Sequence, residues 1–252
     1  KFRNRLMKTL LVGGCSFTTP NEYIDERGVK MQSWPEYVAG KLDLNLVNLA
    51  WVGAGNSYIA DSIQNYIIAN NPDPNNTIVL VMWSGTTRKD VRVSNSFFQA
   101  ISDYPFKTTL DGTNYLMAGD MELCLTSKVE WKEIFKQTYS RQTVQELADE
   151  SLNNFIKLRT FLEVNKYTYR FVSYVDYWKN NRQISGLYDI NLPFHTSNPN
   201  LLRHLGNNWI NVSLYDYAKE RKLLGDDDFH PTTEGHISYA QDVIIPNIKN
   251  IV

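Results

Sequence analysis

Four apolar, β-prone segments stand out along the chain, at 9–12, 44–49, 78–83 and 169–175. Polar and apolar positions hardly alternate within them, which is the pattern of strands covered by helices on both faces. Between and after them, apolar residues recur at helical spacing over 34–42, 57–69, 143–163 and 233–248. Strands alternating with helices predict a three-layer α/β domain with a parallel sheet. Two stretches break the alternation, 89–141 and 176–208. The first contains "TTLDGTNYLM", where Asp111-Gly112 between β-prone runs predicts a hairpin. Long excursions of this kind are where functional loops and specificity are expected. The chain therefore reads as one domain, 1–252, with an insertion at about 89–141 after the third strand.

Composition narrows the partners. Hydrophobic residues make up 42% and charged residues 21% of the 252 positions, the balance of a soluble globular chain. The formal net charge is -1 and the cations are scattered, so nothing favours nucleic acid, which requires a clustered positive excess. The 15 tyrosines and 6 tryptophans lean weakly toward a surface that stacks on sugars. Only Cys15 and Cys124 are present, which gives neither a disulfide framework nor a zinc pattern. After the basic 1–7 stretch the apolar run ends at Gly13, too short for a signal-peptide core or a membrane span. The default expectation is a cytoplasmic protein with no membrane partner; the sequence leaves its oligomeric state open.

In open α/β sheets ligands bind beyond the carboxyl ends of the strands, so the residues just after each strand carry the chemistry. After the first strand comes Gly13-Gly14-Cys15-Ser16, where the glycines are expected to permit a sharp turn that holds up Ser16. The second is followed by "NLAWVGAGNS", with Asn48, Gly53, Gly55 and Asn56, and the third by "SGTTR", with Ser84, Thr86 and Arg88. Near the end stands "GDDDFHPTTEGH", with Asp227 and His230 just before the last helix. A serine hydroxyl is a weak nucleophile that needs an imidazole to take its proton and a carboxylate to orient that imidazole. His230 and Asp227 are of the right types, and the amides of Ser16 and Gly53 are suited to hold an oxyanion.

These blocks resemble the SGNH (GDSL-type) hydrolases, serine esterases, lipases and thioesterases on a flavodoxin-like sheet. The likeness covers four short blocks from Gly14 to His230. Gly14-Cys15-Ser16 is similar to the family's Gly-Asp-Ser block, which implies Ser16 as nucleophile. Asn48 to Gly53 is similar to the second block, which implies Gly53 as an oxyanion donor, or Gly55 if the loop is shifted. Asp227-Asp228-Phe229-His230 is similar to the Asp-x-x-His block, which implies His230 as base and Asp227 as its partner. The implied activity is hydrolysis of an ester through an acyl-serine intermediate, without metal or cofactor. The substrate expected is a small-molecule or carbohydrate ester, an O-acetyl group on a carbohydrate before others.

The chain departs from the pattern twice. Cys15 replaces the usual Asp beside the nucleophile. In the third block Thr86 stands where the family has an Asn that donates to the oxyanion, and loss of such a donor costs about 2.7–4 kcal/mol. Thr86, Ser84, Asn56 and Arg88 are the candidates to compensate. Two alternatives stay open: a catalytically degenerate protein of this fold with a carbohydrate-binding or structural role, and a lipase or thioesterase with an acyl channel in the insertion. "GAGNSY" is a poor dinucleotide loop, because Tyr58 occupies the position where close packing demands glycine. Asp226, Asp227 and Asp228 read as a solvated acidic turn rather than a metal site. Cys15 is expected to point into the sheet as a small hydrophobe, and His236 to be structural.

Overall fold

The computed structural model describes residues 7–19, 31–86, 88–101, 104, 107–117, 143–177, 182–184, 188–190, 208–225 and 230–252. Strands β1 (Thr9–Gly13), β2 (Asn45–Asn48), β3 (Thr77–Trp83) and β7 (Thr168–Ser173) form a parallel sheet in the order β2-β1-β3-β7. Each lies within the segment read from the apolar pattern or overruns it by one residue. Burial explains why the pattern was continuous: all seven residues of β3 are buried, whereas β2, at the sheet edge, is only partly covered. A fully buried Val, Leu or Ile contributes about 1.5–3 kcal/mol, so β3 is the strand that least tolerates a polar substitution. Beyond β7, Ile210 donates its N–H to the Phe171 carbonyl at 2.7 Å and Trp209 pairs with Phe171, a rudimentary fifth position.

Helices α1 (Trp34–Leu42) and α2 (Asn56–Asn70) follow β1 and β2. The chain moves outward from β1 to β2 and then back across β1 to β3. Right-handed crossovers therefore put α1 and α2 on opposite faces. On one face α2 packs against α4 (Val144–Val164); on the other, α1 packs against the C-terminal helical segments. The start of α4 is fixed by a reciprocal cap: Glu146 N–H donates to Thr143 Oγ1 at 3.1 Å and Thr143 N–H donates to the Glu146 carboxylate at 2.6 Å. Helix α5 (Leu214–Glu220) precedes the last block.

The expected single helix over 233–248 is three segments: α6 (Thr233–Tyr239), a π-helical turn (Ala240–Ile244) and α7 (Ile245–Ile248). Pro246 has no N–H to donate, and its ring collides with a carbonyl four residues earlier. In the π turn just before it, Ile245 N–H donates to the Ala240 carbonyl five residues back, which interrupts the α-helical ladder at that point.

The 89–141 excursion is described as far as Met117. It forms β4 (Asp90–Val93), α3 (Asn95–Ala100), β5 (Lys107–Leu110) and β6 (Thr113–Met117), in an antiparallel sheet of order β4-β6-β5. Asp111 and Gly112, with φ of 46° and 75°, make the two-residue turn that the sequence predicts. A two-stranded ribbon, β8 (Arg182–Ile184) and β9 (Tyr188–Ile190), lies in the second excursion. No helix among the described residues is long and apolar enough to cross a membrane.

Candidate active site

At the carboxyl end of β1 the chain turns at Cys15. The Thr18 and Thr19 N–H groups both donate to the Cys15 carbonyl, at 2.8 and 3.1 Å, which coils 16–18 into one turn. The two glycines serve this turn through space rather than backbone freedom. Neither has a positive φ, but a Cβ on Gly14 would lie 2.3 Å from Thr18 Oγ1 and one on Gly13 would lie 3.0 Å from Ile63. The expected turn is present, and its physical reason is close packing. Cys15 is wholly buried, as its reading as a small hydrophobe anticipates, while Ser16 keeps 8% of its surface exposed.

His230 arrives from the far end of the chain. Gly225 N–H donates to the His230 carbonyl at 2.8 Å, Leu224 pairs with Pro231, and Thr232 N–H donates to the Leu223 carbonyl at 2.8 Å. These bonds close a narrow loop with His230 at its foot. Thr232 Oγ1 then accepts from Gly235 N–H at 3.1 Å and starts α6. The result is that His230 Nε2 stands 3.1 Å from Ser16 Oγ, across 214 residues of sequence. Asp226, Asp227 and Asp228 lie outside the described residues, as do Cys124, His195 and His204.

An aromatic stack backs this pair. The imidazole of His230 lies 4.9 Å from the Phe17 ring, Phe17 lies 4.6 Å from Tyr174, and the Arg88 guanidinium stands 5.1 Å over Tyr174. Arg88 is thus buried behind the pair, at the far end of the stack. His236, one turn into α6, is 1% exposed; burial and the charge of His230 push its pKa down to about 3, which keeps its ring neutral.

The loop after β2 carries the glycines. Asn48 ties it to the Ser16 turn, its side-chain amide donating to the Thr18 carbonyl at 2.9 Å. Trp51 N–H donates to the Gly14 carbonyl and Ala54 N–H to the Trp51 carbonyl, both at 3.1 Å. The tip, Gly53, has φ of 76°, in the left-handed region that glycine adopts without strain. The Gly55 N–H is committed elsewhere, donating to the Asp90 carboxylate at 2.7 Å. Of the two glycines, only Gly53 takes no part in these bonds.

At the end of β3, Asn56 accepts from Ser84 N–H at 2.8 Å and donates to Ser151 Oγ at 3.0 Å, and Tyr177 OH donates to the Ser84 carbonyl. The Asn56 amide thus spends its capacity stitching β3 to α4. Ser84 Oγ and Thr86 Oγ1 are different: both are buried, and neither has a hydrogen-bond partner among the described residues. Buried hydroxyls are normally hydrogen-bonded, so these two are candidates to bond a group bound at the strand end. Phe17, Trp51 and Asp90 join the site only in the structure. Trp51, 39% exposed beside Gly53, had a signal in its tryptophan-glycine context; the other two had none.

No protein-family model matches the chain, and no curated protein matches it in sequence. Solved structures do match in shape. They include an acetylxylan esterase from Geobacillus stearothermophilus (12% identity, TM-score 0.51, covering 96% of this chain and 94% of that one). An esterase, EstA, from Pseudoalteromonas sp. matches at 12% identity and TM-score 0.51, over 96% and 97% of the two chains. TesA matches at 9% identity and TM-score 0.54, over 97% and 100%. The sheet order, flanking helices and end-to-end coverage give this chain the three-layer fold of the SGNH hydrolases.

Proposed function

We propose that this chain, built on the SGNH-hydrolase fold, is a serine esterase that transfers a short acyl group to Ser16 and then to water. The observation that carries the reading is the 3.1 Å approach of Ser16 Oγ to His230 Nε2 at the carboxyl end of the parallel sheet. In the first step His230 takes the Ser16 proton as Oγ attacks the ester carbonyl; the Oγ–carbonyl bond forms and the carbonyl electron pair moves to oxygen. The oxyanion is held by the amides of Ser16 and Gly53, with the Thr86 hydroxyl as third donor in place of the family's Asn. His230 returns the proton to the leaving alcohol, and a water activated by the same imidazole releases the acid. Asp227 is assigned to orient His230.

For the substrate we favour an O-acetyl group on a carbohydrate. Trp51 supports this: a partly exposed indole beside Gly53 offers a flat apolar face on which a sugar ring stacks. The acetylxylan esterase among the structural neighbours supports the same class. The test is intact-protein mass spectrometry after a fluorophosphonate probe, with Ser16→Ala alongside and p-nitrophenyl acetate turnover in parallel. One adduct and turnover in wild type, both lost in Ser16→Ala, is the expected result. A folded wild-type protein with neither adduct nor turnover overturns the esterase and leaves a binding protein on this fold.

A further inference from the structure

Helix α2 begins without a cap of its own. Its N-cap residue is Gly55, which has no side chain to accept the N–H groups left open at a helix start. That role is filled from 35 residues away. One Asp90 oxygen accepts from Gly55 N–H at 2.7 Å; the other accepts from Tyr58 N–H at 2.8 Å and from Ser57 Oγ at 3.3 Å. Asp90 occupies the space where a capping side chain would be: a Cβ on Gly55 would lie 2.9 Å from its carboxylate and 3.0 Å from the Arg88 carbonyl. The loop bearing Gly53 is therefore anchored on two sides, to the Ser16 turn through Asn48 and Trp51 and to the inserted sheet through Asp90.

We propose that Asp90 is a positioning residue for the oxyanion loop, by which the inserted sheet holds that loop in place for the reaction at Ser16. The inference rests on the esterase reading above. Ionised, the carboxylate can accept all three bonds and suits the positive end of α2; protonated, one oxygen becomes a donor and the anchor weakens. Burial pushes the Asp90 pKa up to about 6, so the change falls within ordinary assay conditions. The titratable residues that act on it are Tyr58 and Asp61 on α2; beyond Asp61 stand Arg92 on the same strand as Asp90, Tyr115 on β6 and Lys157 on α4. Of these Asp61 raises the Asp90 pKa, while Arg92, Tyr115 and Lys157 all bond to Asp61.

The test compares wild type, Asp90→Asn and Ser57→Ala for p-nitrophenyl acetate turnover across pH, with fluorophosphonate labelling of Ser16 and thermal unfolding on the same samples. Asp90→Asn should lower kcat about 10- to 100-fold with KM changed less than about threefold, slow the labelling in step, and keep a cooperative unfolding transition. Ser57→Ala removes only the 3.3 Å bond that lowers the Asp90 pKa, so its acid limb should move to higher pH. If wild type turns over and a folded Asp90→Asn keeps kcat within twofold, the positioning role is overturned while the esterase stands. Should Asp90→Asn not fold, an acid limb unmoved in Ser57→Ala overturns the role equally. A wild type that neither turns over nor labels overturns the esterase first and this inference with it.

Discussion

The phenyl ring of Phe17 lies against the imidazole of His230, with centroids 4.9 Å apart and planes 33° from parallel. Phe17 is the residue after Ser16, is wholly buried, and offers its carbonyl to Trp34 Nε1 at 3.1 Å. The turn that carries Ser16 therefore also supplies the wall against which the His230 ring packs. Phe17→Leu keeps an apolar filler but loses the flat face. Its expected cost is about 1–2 kcal/mol of stability, because the ring is buried. On the proposed mechanism it also lowers kcat by about tenfold with KM little changed, read from steady-state kinetics beside a urea melt.

Thr86 offers a cleaner separation of stability from chemistry. Its hydroxyl is buried without a partner among the described residues, so Thr86→Val, of nearly the same shape, should leave the melting temperature unchanged or raised. If that hydroxyl is the third oxyanion donor, kcat falls about 100-fold or more in the same variant. A stable Thr86→Val with full kcat assigns the donor elsewhere, and Ser84→Ala then tests the neighbouring hydroxyl.

The Asp90 carboxyl also sets a sign for stability against pH. Its pKa is 3.8 ordinarily and is pushed up to about 6 in the fold, chiefly by burial. The folded chain thus holds this proton where the unfolded chain has lost it, and the stabilisation is fully present below the unfolded value. It is lost as pH rises through about 6, at a cost of about 3 kcal/mol by linkage. Asp90→Asn cannot ionise, so the stability of wild type relative to this variant should improve as pH falls from about 7.5 to 4.5. Chemical denaturation of both proteins at several pH values checks this; a difference independent of pH refutes it.

Gly14 predicts a steric failure. A methyl group there meets Thr18 Oγ1 at 2.3 Å and Thr18 Cβ at 2.5 Å, inside the turn that carries Ser16. Gly14→Ala should cost about 1–3 kcal/mol and suppress phosphonate labelling. Adding Thr18→Gly removes the obstructing atoms and should restore part of both, a coupling measured by a double-mutant cycle.

Trp51 tests the substrate class. Being partly exposed, it should tolerate Trp51→Ala within about 0.5 kcal/mol. The variant is expected to raise KM about tenfold for an acetylated xylooligosaccharide while leaving p-nitrophenyl acetate almost unaffected. Equal loss on both substrates points instead to a contact with the acyl group.

How much of this the sequence reveals depends on the range of the interaction. The apolar run 78–83 names its strand because burial on both faces leaves nothing polar to break it, and Asp111-Gly112 names its hairpin because two adjacent residues decide it. Ser16 and His230 are legible as types at strand ends, although their approach is a property of the whole sheet. Asp90 is not legible, since an aspartate opening a strand looks like a surface residue until its partners at Gly55 and Tyr58 are known. The roles of Gly13 and Gly14 were half legible: glycine was required, but for contacts with Ile63 and Thr18 that lie elsewhere in the chain. The interruption of the last helix was not read, because one proline at 246 is outweighed by the helical pattern around it.

The separation of 214 positions between Ser16 and His230 has a consequence for how the protein comes into being. A chain synthesised from its amino end exposes the serine turn early, when no imidazole is within reach. The two meet only after every strand of the parallel sheet has been made and the final helical block has docked. On the proposed mechanism a nascent or clipped chain does not react, and labelling by a phosphonate becomes a stopwatch for the last step of folding. Pulse-labelling during synthesis would read the moment at which the far end of the chain closes the circuit.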